Sequence, residues 1–86
     1  MATKILVVDD DLDAVRLVGL MLERRGYAIV AAQSGAQALM KAQTENPDLI
    51  ILDVMMPDMV GYEVCRRLRA NPSTADTPIM MFTAKT

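Results

Sequence analysis

Four short apolar runs, at residues 4–8, 27–32, 49–52 and 79–82, alternate with three longer stretches in which apolar residues recur every three or four positions. Short runs rich in Val, Ile and Leu read as strands covered on both faces, and the longer period reads as amphipathic helix. In the first helical stretch Ala14, Leu17, Val18, Met21 and Leu22 are predicted to face inward, with Asp10 or Asp11 as N-cap and Gly26 as the stop. The second opens at Ser34, turns Ala38, Leu39 and Ala42 inward and ends at Asn46-Pro47. The third carries Val64, Cys65 and Leu68 and closes at Asn71-Pro72, and Pro78 opens the last strand, which ends in Thr83-Ala84. The methionines, spread over helices and strands, read as gap-filling core.

This βαβαβαβ alternation predicts an α/β domain built on a parallel sheet with right-handed crossovers. With strand order 2-1-3-4, the first helix lies on one face and the next two on the other. The chain then reverses direction between strands 1 and 3, and open sheets place their sites at such a switch point. Two strands that meet there end in acid: Asp9-Asp10-Asp11 follows the first, and Asp53 follows the third. Ordinary structural roles exist for each, since Asp at a strand end bonds turn amides and Asp before a helix caps it. Asp53, however, is delivered by a wholly apolar run into a Pro/Gly loop at 54–61, and Asp9 and Asp10 would share its crevice. Three carboxylates in one place exceed what turns and caps require.

Composition narrows the rest. The chain has 86 residues, 52% of them hydrophobic and 23% charged, which is globular and bounds it to one domain. At this length only ~60–65% of the unfolded surface is buried, so little stability is spare. A net charge of −2 with no strong basic patch gives no expectation of nucleic-acid binding, and Arg66, Arg67 and Arg69 read as a solvated helix face. A single cysteine, Cys65, and the absence of histidine exclude an internal disulfide, zinc sites of the usual kind and His-based catalysis. They fit a reducing, cytoplasmic setting, and no signal peptide or membrane span is expected.

Val7-Val8-Asp9-Asp10, the strand-borne Asp53, the Met56-Pro57-Asp58-Met59-Val60-Gly61 loop and the strand from Pro78 to Ala84 together resemble the receiver domain of two-component response regulators. The resemblance spans the whole chain in order and spacing. It implies a flavodoxin-like (CheY-like) doubly wound sheet of order 2-1-3-4 and a role in phosphorelay signalling rather than as a turnover enzyme. It further implies that Asp53 is the phosphoacceptor, that Asp9, Asp10, Asp53 and the backbone carbonyl of Met55 bind Mg²⁺, and that Thr83 supplies a switch hydroxyl. The donor would be a histidine kinase or a phosphotransfer protein. Clustered carboxylates raise one another's pKa unless a divalent cation sits among them, and Mg²⁺ prefers such oxygen ligands.

The chain also departs from the family. Val60 stands where Asp is usual, and the expected fourth helix, fifth strand and fifth helix have no counterpart within residues 1–86. The family's phosphoryl-pairing lysine is missing with them, Lys85 lying too close to Thr83 to replace it. The chain is therefore expected to be a single, C-terminally incomplete receiver domain. Roughly four large side chains on the first helix's side of the sheet would lie bare, at about 6–12 kcal/mol in all, which rivals a domain's total stability. Self-association or completion by another polypeptide is the expected remedy. Two other functions compete: a receiver-like scaffold defective in phosphorylation, and an aspartyl phosphohydrolase. The second needs an acid/base Asp two residues after the nucleophile, where this chain has Met55.

Overall fold

Ile5, Leu6, Val7 and Val8 are all buried because the strand they form is central, with a parallel neighbour on each side. The computed structural model describes residues 2–82. Its elements are β1 (Lys4–Val8), α1 (Leu12–Glu23), β2 (Ala28–Ala32), α2 (Gly35–Glu45), β3 (Leu49–Asp53), α3 (Gly61–Ala70) and β4 (Ile79–Phe82). Every strand pair is parallel and the order is β2-β1-β3-β4, as the alternation requires.

Register sorts the side chains into two faces. Leu6 lies beside Val30 and Ile50, and Ile50 beside Ile79. This face forms the main core, where Leu6, Val8, Ala32, Ile50 and Leu52 meet Ala38 and Ala42 of α2, Val64 and Leu68 of α3, and Met56. Small residues at 38 and 42 let α2 come close to the sheet. The other face carries Ile5, Val7, Ile29, Leu49, Ile51 and Met80, and α1 packs over its β1–β2 half.

The helix ends follow the sequence. Asp11 is the N-cap of α1, its carboxylate accepting from the amides of Asp13 (3.0 Å) and Ala14 (3.4 Å). Ser34 caps α2 through the Gln37 amide at 3.1 Å. Gly26 leaves α1 at φ 92°, and Asn46 ends α2 in the left-handed region at φ 48°.

Three expectations need correction. On α1 the stripe against the sheet is Val15 and Gly19, flanked by Ala14, Val18 and Leu22, whereas Leu17 and Met21 are each 60% exposed. The helix is apolar around more than half its girth, so spacing alone did not select the buried side. Among the described methionines only Met56 and Met59 fill the core, and Met21, Met40, Met55, Met80 and Met81 are exposed. Arg66 and Arg67 do form a solvated face paired with Glu63, but Arg69 turns back and donates to the carbonyls of Ala75 (2.9 Å) and Thr77 (2.7 Å). Beside it, the buried Thr74 hydroxyl donates to the Leu68 carbonyl at 2.6 Å, tying the loop to the end of α3.

Over β3 and β4 the α1 face is thinly covered. Leu49, Ile51 and Phe82 are half-buried and Met80 is 57% exposed. Only Met80 of these is exposed, so the face is less bare than the roughly four uncovered side chains the sequence predicts.

Candidate functional site

Parallel strands bring their carboxyl ends to one edge. Val8 pairs with Leu52, so the next residues, Asp9 and Asp53, emerge side by side. The ladder continues past each of them: the Asp9 amide donates to the Ala32 carbonyl (3.1 Å) and the Val54 amide to the Phe82 carbonyl (2.9 Å). Both carboxylates are thereby carried on fixed backbone and are nearly sealed from water, at 3% and 1% exposure. Asp10 is half-buried beside them, and one oxygen from each of Asp9, Asp10 and Asp53 lies within 4.8 Å of the others.

The structural roles of these acids are real and do not disperse the cluster. Asp9 Oδ1 accepts from the Asp11 amide at 3.0 Å, and Asp53 Oδ1 accepts from the Met55 amide at 3.2 Å, each an Asx-type turn. Because Asp11 serves as the helix cap, Asp9 and Asp10 remain at the strand edge. Burial pushes the Asp9 carboxyl up to about 6; the Asp11 amide opposes this, and the neighbouring Asp53 and Asp10 reinforce it. Three carboxylates gathered in this way offer an all-oxygen set suited to a hard divalent cation.

The loop after β3 is held at several points. The Gly61 amide donates to the Val54 carbonyl at 2.7 Å, closing the loop on itself. A Cβ at Gly61 would lie 2.7 Å from the Asp53 carbonyl oxygen, so only glycine allows α3 to start this close to the phosphoacceptor candidate. Asp10, Met55, Met56 and Pro57 line an open cleft of about 320 Å³. Val60 is the N-cap of α3 without a side-chain bond, where an Asp would provide one. In mid-loop the Asp58 carboxylate accepts from the amides of Gly35 (2.9 Å) and Ala36 (3.1 Å) at the start of α2. Sequence reasoning missed this contact, since residues 22 and 23 positions apart meet only once the sheet has formed.

The structure thus brings Asp9, Asp10 and Asp53 together, with Met55 on the rim. Thr83 and Lys85 lie outside the described residues. Among those residues no helix is long and apolar enough to cross a membrane.

The profile of the family described as the response regulator receiver domain matches residues 5–86. The alkaline phosphatase synthesis transcriptional regulatory protein PhoP of Bacillus subtilis is 52% identical over 85 residues, covering 99% of this chain and 35% of that protein. The chain therefore spans about a third of the length of such curated relatives. Among solved structures, the N-terminal domain of a response regulator receiver protein from Methanoculleus marisnigri superposes with a TM-score of 0.92 at 44% identity, covering 95% of this chain and 67% of that one. TrrA of Thermotoga maritima, a response regulator solved in complex with Mg(2+)-BeF, gives 0.89 at 38% identity, covering all of this chain and 72% of that one.

Proposed function

Because the chain belongs to the response regulator receiver domain family, we propose that it is the phosphoacceptor module of a two-component phosphorelay, with Asp53 as the residue phosphorylated. The observation that carries this reading is the clustering of Asp9, Asp10 and Asp53 on adjacent, in-register strands at the switch point.

In the transfer an Asp53 carboxylate oxygen attacks the phosphorus of a phosphohistidine on a histidine kinase or phosphotransfer protein. The O–P bond forms as the N–P bond breaks, and the electron pair returns to the imidazole nitrogen, which takes up a proton. Asp9, Asp10, Asp53 and the Met55 carbonyl would hold Mg²⁺, which supplies charge neutralisation for the incoming phosphoryl oxygens. The β3 backbone orients the nucleophile. An acyl phosphate is high in energy and hydrolyses readily, which suits a reversible signal better than a serine ester would. The Thr83 hydroxyl is the proposed reader of the phosphoryl group. The protein assists its own phosphorylation and is not a turnover enzyme; a cytoplasmic setting fits its partners.

The thinly covered half of the α1 face supports a further partner, a second copy of this chain. Leu17 and Met21 are exposed on the helix that packs on this face, and Met80 is exposed on β4, which is an edge strand among the described residues.

Beryllofluoride with Mg²⁺, followed by ¹⁹F NMR, tests the functional reading without a kinase. A bound resonance that requires both Mg²⁺ and Asp53 is the expected result. Its absence from a folded chain would make this a receiver-like interaction scaffold.

A further inference from the structure

The N-terminus of α2 is closed by its own neighbours and then bound a second time from a distance. Ser34 Oγ accepts the Gln37 amide at 3.1 Å, and Gln37 Oε1 accepts the Gln33 amide at 3.0 Å, a reciprocal cap built within five residues. Two first-turn amides, of Gly35 and Ala36, are left over. Asp58 takes one with each carboxylate oxygen, at 2.9 and 3.1 Å, although its side chain sits at the surface where water could solvate it. Beside these bonds Met59 packs so tightly that a Cβ at Gly35 would lie 2.8 Å from the Met59 Cβ and 3.3 Å from its Sδ. The loop that begins at Asp53 is therefore clamped to α2 by charge on one residue and by shape on the next.

We propose that Asp58 is a positioning residue for the acidic site, its carboxylate fixing the 54–60 loop against α2 so that Met55 and Asp53 are held ready for the metal. The inference rests on the receiver reading above. Metal affinity then depends on a contact made on another element, and by linkage metal binding strengthens that contact. Asp58 is not one of the clustered carboxylates of Asp9, Asp10 and Asp53. It acts as outer-sphere partners do, by restricting the groups that hold the metal. The Gly35 amide above all holds the Asp58 carboxyl below the ordinary carboxylate range, so the clamp is charged throughout the neutral region.

The test is a Mg²⁺ titration of the ¹⁵N-labelled chain, following the amide shifts of Asp10 and Met55, for the wild type, Asp58→Ala, Asp58→Asn and Ser34→Ala. Asp58→Ala is expected to weaken Mg²⁺ binding about tenfold, with Asp58→Asn between it and the wild type because an amide oxygen keeps one of the two bonds. Ser34→Ala loosens the same helix end without touching the loop and is expected to stay within about twofold. In the wild type, Mg²⁺ should slow hydrogen exchange at Gly35 and Ala36. Wild-type affinity in Asp58→Ala, with exchange at those amides accelerated, would overturn the proposal, as would equal weakening in Ser34→Ala. Should Asp58→Ala fail to fold, the Asp58→Asn affinity and the Mg²⁺ effect on exchange decide it. A wild type that binds no Mg²⁺ would remove the receiver reading and this inference together.

Discussion

Burial works against the charge of Asp9. Its carboxyl is raised from 3.8 to about 6, chiefly by burial, so the folded state binds its proton more tightly than the unfolded chain does. The stability this contributes is fully present below 3.8 and is lost as pH rises through about 6. Asp58 and Glu63 are lowered, by the Gly35 amide and by Arg66 respectively, so their contributions are lost in the opposite direction, as pH falls below the ordinary carboxylate range. Between those limits Asp9 sets the slope. The metal-free chain should unfold at progressively lower urea as pH is raised across that interval, and Asp9→Asn should flatten the curve; an unchanged slope in the variant would assign the effect elsewhere. For the same reason Mg²⁺ should bind more tightly as pH rises across the interval. Gly61 is the second residue with little latitude. Gly61→Ala forces a methyl against the Asp53 carbonyl at 2.7 Å and is expected to cost about 1–3 kcal/mol in urea unfolding. The same change should displace the Asp53 and Met55 amide resonances, because the backbone that carries them has to move.

At the scale of elements, the strands and caps were legible and the helix faces less so. A β-strand has a two-residue period and a buried sheet tolerates no polar interruption, so Ile5 to Val8 and Leu49 to Leu52 announced themselves. Ser34, Asn46 and Gly26 marked their ends because each backbone conformation favours those residue types. For α1 the sequence offered apolar residues on nearly every side, so spacing could not single out the buried stripe of Val15 and Gly19. Arg69 and Thr74 escaped for a different reason, since their partners are backbone carbonyls, which no sequence pattern reveals. Thr74→Val leaves the end of α3 without its buried donor and should cost about 1–3 kcal/mol of unfolding free energy. Equal stability of the variant would show that solvent replaces the bond.

For the whole molecule, order and handedness of the crossovers determine both the site and the exposed face. Asp9, Asp10 and Asp53 could be placed in one crevice from sequence because a 2-1-3-4 sheet has a single reversal, and the acids follow the two strands beside it. Asp58 could not, because its bond joins residues 23 positions apart on the far sides of β1, which lies between β2 and β3. The same topology leaves α1 over β1 and β2 with Met80 exposed on the far side. If a second copy covers this face, light scattering should show assembly at micromolar concentration. Met80→Lys should weaken it by about tenfold or more, the equivalent of one buried methionine. A wild-type monomer that unfolds cooperatively would contradict this part. The phosphoacceptor assignment itself is tested most directly by the intact mass of the folded chain after incubation with Mg²⁺ and acetyl phosphate, beside Asp53→Asn. A phosphoryl adduct that needs both the metal and Asp53 is the expected result. A folded chain that acquires no adduct, or an adduct that survives Asp53→Asn, would contradict it.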